Sequence, residues 1–339
     1  MRNPIIYHRD FLDKLISTRA GEIKLGEKIR TLHNLAELTD SKAQFVLIGI
    51  PEDVGVKANF GIPGTASAWN SVLKSLVNIQ STVDLEGSEI LILGHLDLNT
   101  ECSRANDLKP ENLDHLRELR ELVNIIDGHV FELLRLVFEA GKVPILIGGG
   151  HNNAFPILKA FSTQLKTPVN TINIDAHADF RLEEGRHSGN SFSYAFQRNF
   201  LHKYAVIGLQ ENYNAEQMIL KMRTHKDRIS LAFFDDLVRE NSSYDRDFQS
   251  ALNFTKGNCG LEIDMDSIAG QLSSAMSPSG FTLNQVREMI AMTRTNKISY
   301  LHICEAAAKL EDKEDPLCGK SICFLISDFI KAQKKWAAD

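Results

Sequence analysis

Three short segments concentrate residues able to do chemistry: GGGH at 148–151, DAHAD at 175–179 and DMD at 264–266. Each follows an apolar, Val/Ile-rich run. In extended chain, side chains two residues apart share a face at about 6.6 Å. Asp175, His177 and Asp179 therefore point one way, as do Asp264 and Asp266. With His151 these make four carboxylates and two imidazoles. Four negative charges converging in a partly buried pocket repel, and their pKa values rise until some are neutralised, unless cations bind. Two divalent ions match four carboxylates in charge. Oxygen-rich ligation with one imidazole per ion suits Mn²⁺ better than Zn²⁺, which prefers Cys and His, or Mg²⁺, which retains water. The set predicts a binuclear Mn²⁺ cluster, two ions per subunit, able to share a bridging hydroxide and present it to an sp² carbon. That is hydrolytic chemistry. A lone Asp at a strand end is more often a helix cap and a lone His a hydrogen-bonded loop residue. The whole set is harder to explain that way. GGGH also has the look of a phosphate loop, but it lacks the GK[ST] ending and the GxGxxG spacing.

The elements that must position these residues are legible as eight apolar runs: 45–50, 89–93, 143–148, 169–175, 204–209, 229–234, 259–264 and 299–304. Such runs read as buried parallel strands. Between them, Trp69, Val72, Leu73, Leu76 and Val77 fall on one helical face, as do Leu113, Leu116, Leu119, Val123, Ile126 and Val130. Thr282 with Gln285 forms a capping box opening another helix, and a last helix starts near Lys320 and runs towards Trp336. The expected organisation is a helical N-terminal extension over 1–40, then one α/β domain over 41–339, with function at the carboxyl ends of the strands.

Composition narrows the partners. The 339 residues carry 38 basic and 44 acidic side chains, a formal net charge of −6, and no long Lys/Arg block. This argues against nucleic acid or an anionic membrane as partner. No apolar run approaches the ~18 residues that span a bilayer. The N-terminal MRNPIIYHRDFLDKL lacks a signal-peptide pattern, and five cysteines fit reduced thiols, so a cytoplasmic location is expected. A small-molecule substrate is the expected partner, with homo-oligomer formation left open.

The motifs GGGH, DAHAD and DMD, with Glu305 beyond the last strand, resemble those of the arginase/ureohydrolase family over roughly residues 45–310. The resemblance implies a three-layer arginase-like α/β fold with an eight-stranded, mostly parallel sheet flanked by helices. It implies that His151, Asp175, Asp179 and Asp264 hold one Mn²⁺ and Asp175, His177, Asp264 and Asp266 the other. GGGH in place of GGDH, Arg181 in DAHADFR, and the absence of Asp-Pro after DMD resemble the formimidoylglutamase branch. The implied activity is hydrolysis of a linear amidine C–N bond, N-formimidoyl-L-glutamate to L-glutamate and formamide, as in histidine degradation. Other guanidino substrates, as for arginase, agmatinase or guanidinobutyrase, form the alternative. A single-zinc deacylase is a third reading, which the six-residue set opposes. A non-catalytic metal-binding relative is a fourth, kept open by Phe192, which stands where arginases carry a proton-shuttle histidine.

On this reading Glu305 holds the amidinium, Asp179 relays a proton to the leaving nitrogen, and His187 is a candidate assistant, although an exposed loop role also suits it. Arg181 is the candidate for a substrate carboxylate, against an ion pair with Glu183 or Glu184. Asn190, Asn212 and Tyr213 are candidate polar contacts, and Asn59 could line the same mouth or simply make a turn. Cys304, beside Glu305, has no paired base in the sequence and reads as a buried strand cysteine.

Overall fold

The computed structural model describes residues 4–334 and 336. Residues 1–3, 335 and 337–339, at the ends of the expected extension and domain, lie outside it. All eight expected runs are strands, and a ninth joins them. In chain order they are β1 (Ile5–Ile6), β2 (Phe45–Gly49), β3 (Ile90–His95), β4 (Val143–Ile147), β5 (Val169–Ile174), β6 (Leu201–Leu209), β7 (Ile229–Phe233), β8 (Cys259–Asp264) and β9 (Ile298–Cys304). They form one sheet in the order β1-β3-β2-β4-β9-β8-β5-β6-β7. Every pairing is parallel except that of β1, which runs antiparallel along the edge of β3. β1 is the departure from the expected eight strands: two residues carry no periodicity, and only the exposed edge of β3 recruits them. The segment before β2 thus contributes an edge strand as well as short helices, Arg9–Asp13 and Leu25–Lys28.

Strand side chains alternate between two apolar layers. On one face Val46, Ile48, Leu91, Leu93, Leu146 and Tyr300 pack under the helices Leu113–Glu139 and Ala154–Leu165. On the other, Leu47, Ile92, Ile145, Ile174, Ile263 and Ile303 meet the helices Ala68–Leu76, Leu283–Met292 and Cys318–Gln333. Burying both faces is why the strands read as continuous hydrophobic runs. The one-faced helices bury the expected stripes, except that Leu113, in the first turn of its helix, is 70% exposed. The Thr282 capping box forms, with the Gln285 N–H donating to Oγ1 (3.2 Å) and the Thr282 N–H to Gln285 Oε1 (2.8 Å).

The strand order makes the site. β4, β9, β8 and β5 are adjacent although far apart in sequence, with Ile147 opposite Ile303, Cys304 opposite Asp264, and Ile263 opposite Ile174. All four chains therefore leave the sheet at the same edge.

Candidate metal centre and substrate cavity

After β4 the chain turns through Gly148 and Gly149, both with left-handed φ (87° and 72°). A Cβ on Gly149 would sit 2.3 Å from Asn153 Nδ2, so only glycine fits that turn. The loop's amides are taken by two carboxylates: the Gly150 N–H donates to Glu52 Oε1 (3.0 Å) and the His151 N–H to Glu305 Oε1 (2.7 Å). Those donors are not free to cradle a phosphate, which removes the nucleotide-loop reading. Glu52 is wholly buried and also accepts from Asn153 Nδ2 (2.8 Å) and the Gly55 N–H (3.2 Å). It follows the β2 strand end, so the same rule that singled out Asp175 and Asp264 would have found it.

His151 Nδ1 lies 2.9 Å from Asp179 Oδ2 and 3.2 Å from an oxygen of both Asp175 and Asp264. His177 Nδ1 lies 2.9 Å from Asp266 Oδ2 and 3.7 Å from Asp175 Oδ1. The six side chains thus meet in two touching groups. His151, Asp175, Asp179 and Asp264 place one ligand atom each within 4.8 Å of one another, as do Asp175, His177 and Asp266. Backbone N–H groups turn the carboxylates inward: His177 N–H donates to Asp175 Oδ1 (2.7 Å) and Asp266 N–H to Asp264 Oδ1 (2.9 Å). Asn173 Nδ2 holds Asp175 Oδ2 (2.9 Å), and Asn214 braces the 176–178 turn through the Ala178 N–H and the Ala176 carbonyl, both 2.9 Å.

Electrostatics shows how tightly charge is concentrated. Burial, then Asp266 and Asp175, drive the Asp264 carboxyl well above the usual range, and burial also raises Asp179. Burial would raise Asp175 too, but the imidazoles of His151 and His177 outweigh it and hold that carboxyl low. Against the same burial, Cys304 and then Asp175, Asp179 and Asp264 lift His151, and Asp266 and Asp175 lift His177. Asp266 Oδ1 is buried with no hydrogen-bond partner among the described residues, and His151 Nδ1, although 2.9–3.2 Å from three carboxylates, is aligned for a hydrogen bond to none of them. A donor set of carboxylate oxygens and two imidazole nitrogens, with such orphaned atoms facing inward, fits divalent cations.

The cluster forms the floor of a cavity of about 870 Å³ lined by His177, Asp179, Asp264, Asp266 and Glu305. Asp179 and Glu305 both hold left-handed backbone (φ 45° and 59°), a strain that concentrates at functional positions. Glu305 is also gripped by the Ser274 hydroxyl, and burial pushes its carboxyl up to about 8. Arg181 reaches the mouth and is 3.2 Å from Glu184, as one of its two sequence readings anticipated. Asn59 and Tyr213 line the cavity.

Other expected residues fall elsewhere. His187 is not an exposed loop histidine. It is buried, accepts the Gly189 N–H at Nδ1 (3.1 Å) and meets Glu184 through Nε2 (3.2 Å). Burial, helped by Arg181, Arg120 and Arg186, lowers its pKa to about 2, so it stays neutral and does not line the cavity. Asn190 is likewise interior, accepting from Arg186 Nη1 and donating to the Gly185 carbonyl (2.8 Å). Asn212 is exposed outside the cavity; Asn214, two residues on, lines it. Phe192 stands behind His151, its ring edge-on at 5.1 Å and stacked on Tyr204 at 4.4 Å. Residues that sequence reasoning passed over include Glu262, whose carboxylate meets His302 Nδ1 at 2.6 Å, and the buried pair Arg186–Asp127 (2.8 Å).

The arginase family pattern matches residues 43–324. The chain belongs to the arginase family. A formimidoylglutamase of Salmonella arizonae is 32% identical over 188 residues, 53% of this chain and 52% of that protein. One from Aromatoleum aromaticum is 26% identical over 216 residues, 60% and 59% of the two chains. This arginase-family chain therefore matches little more than half the length of these curated relatives. The structure resembles that of Bacillus subtilis formimidoylglutamase with a TM-score of 0.73 at 17% identity, covering 94% of each chain. It also resembles Trypanosoma cruzi formiminoglutamase solved with Mn²⁺, TM-score 0.68 at 19% identity, covering 92% of this chain and 98% of that one. Both are likenesses of fold.

Proposed function

We propose that the protein is a binuclear-manganese hydrolase of a linear amidine, acting on N-formimidoyl-L-glutamate to give L-glutamate and formamide. The observation that carries this reading is the convergence of six oxygen and nitrogen donors from three segments on the floor of a cavity that also holds a glutamate and an arginine. The names of the relatives above support the substrate, and the Mn²⁺ in the Trypanosoma cruzi protein supports the metal.

In this reading His151, Asp175, Asp179 and Asp264 hold one ion, and Asp175, His177, Asp264 and Asp266 the other. Bound there, two divalent cations would lower the pKa of water and so supply a hydroxide nucleophile for the electrophilic amidine carbon. The residues of the chain do the rest. Glu305, pinned from behind by the His151 N–H and Ser274, offers its carboxylate to the planar amidinium and sets its carbon over the cluster. Asp179 lines the cavity and is the residue that would relay the proton that must reach the leaving glutamate nitrogen. Arg181 takes a substrate carboxylate, exchanging its contact with Glu184 for a fork on the ligand.

The test is a substrate panel with Mn²⁺: N-formimidoyl-L-glutamate, arginine, agmatine and guanidinobutyrate, assayed for formamide, urea and the released amine. Formamide and glutamate from the first alone are expected. Urea from a guanidino compound would move the substrate assignment to that class. No product from any would leave a metal-binding protein without turnover and overturn the reading.

A further inference from the structure

Tyr300, His302 and Cys304 alternate along β9, so their side chains share a face. Beneath them on β8, Glu262 accepts from the Tyr300 hydroxyl at Oε1 (2.8 Å), and its Oε2 lies 2.6 Å from His302 Nδ1. The Tyr300 hydroxyl is held in turn by Thr171 (3.1 Å). With the carboxylate on Nδ1, the His302 proton is fixed there and the lone pair is left on Nε2. That nitrogen is fully buried and has no hydrogen-bond partner among the described residues. Cys304, also wholly buried, makes a weak 3.7 Å contact to the Ile263 carbonyl and interacts with the His151 imidazole. The ring of His151 stands edge-on to that of His302, centroids 6.0 Å apart, and its Nε2 makes no hydrogen bond among the described residues but lies 3.6 Å from Glu262 Oε2. His151, His302 and Cys304 each bring a ligand atom within 4.8 Å of the others.

We propose that Cys304, His302 and His151 form a second cation site, distinct in chemistry from the carboxylate cluster and selective for thiophilic divalent ions of the Zn²⁺ class. One sulfur and two imidazole nitrogens are the donors such ions prefer and Mn²⁺ does not. Tetrahedral coordination with bonds of about 2.0–2.3 Å needs ligand atoms about 3.3–3.6 Å apart, so the three side chains would close on the ion as it binds. Glu262 is the outer carboxylate that orients a ligating histidine. Its charge and that of the thiolate offset the two charges of the ion. The thiol proton is released to solvent on binding. Because His151 faces Asp175, Asp179 and Asp264 through Nδ1 and this site through Nε2, the two ions would share one imidazole ring and their charges repel across it, so Zn²⁺ acts against Mn²⁺.

The test titrates the full-length chain with Co²⁺, both metal-stripped and Mn²⁺-loaded, watching for the near-ultraviolet thiolate-to-cobalt band. Zn²⁺ is then added to the Mn²⁺-loaded protein and free Mn²⁺ is followed by EPR. The wild type is expected to show the band and to release Mn²⁺. In Cys304→Ser the band disappears and Zn²⁺ no longer expels Mn²⁺, while Mn²⁺ binding and the circular dichroism spectrum are retained. His302→Gln, which loses a nitrogen donor, weakens Co²⁺ binding about 10–100-fold or more. No band in the wild type overturns the site. So does an equal band in Cys304→Ser, which would place cobalt on Cys102, Cys259, Cys318 or Cys323. A band in a protein that takes up no Mn²⁺ would sink the manganese reading and leave this one standing.

Discussion

Asp264 accepts the Asp266 N–H and lies 3.2 Å from His151 Nδ1, and in the proposed arrangement it is, with Asp175, one of the two carboxylates both cations would share. Asp264→Asn removes half of its charge-bearing oxygen pair, and Mn²⁺ uptake measured by EPR should fall by more than the about 10–100-fold typical of outer partners, with turnover lost in step. Unchanged stoichiometry would contradict the bridging assignment. Arg181→Met tests a different residue. If its fork binds a substrate carboxylate, KM should rise about 10–100-fold with kcat nearly kept, as expected on losing a charged hydrogen bond made equally in ground and transition states. Glu305 carries the pH dependence. Its folded pKa of about 8 lies above the ordinary 4.5, so its stabilising contribution is complete below 4.5 and is lost as pH climbs through 8. Thermal melts of the metal-stripped protein should fall across that window, and Glu305→Gln should flatten the fall.

At the scale of elements, the loop after β4 behaves as a part mounted on Glu52 and Glu305 rather than as a free turn. Glu52→Ala would leave the Gly150 and Gly55 N–H groups and the Asn153 amide without their acceptor in a dry interior, at about 1–3 kcal/mol each. A drop of several degrees in Tm, measured by calorimetry, is expected, with weaker metal uptake because His151 loses its mount. The DAHAD and DMD turns needed no such foresight, since alternation on two strand ends already aims their carboxylates. The supports were harder to read. Asn214 sits 36 residues from the Ala178 N–H it accepts, and Glu262 pairs with His302 across 40 residues. Neither spacing is a local motif.

For the molecule as a whole, cations that bind only the folded chain stabilise it by mass action, about 2.7 kcal/mol at one hundred times Kd. Tm should therefore rise with Mn²⁺ concentration, and chelation should reverse the rise; a Tm indifferent to Mn²⁺ would deny binding at the cluster. The sequence alone determined the eight buried strands, the flanking helices and the six side chains that converge, because hydrophobic period and side-chain alternation are short-range and survive in a linear reading. It could not distinguish His187, Asn190 and Asn212 from true cavity residues. Only the folding of the 184–191 segment around the buried Arg186–Asp127 pair, and the outward turn at Asn212, decide which side chains face the cavity. It also could not show that Cys304 and His302 stand back to back with His151. That depends on β4, β9 and β8 lying side by side, a long-range choice of strand order that local pattern does not encode.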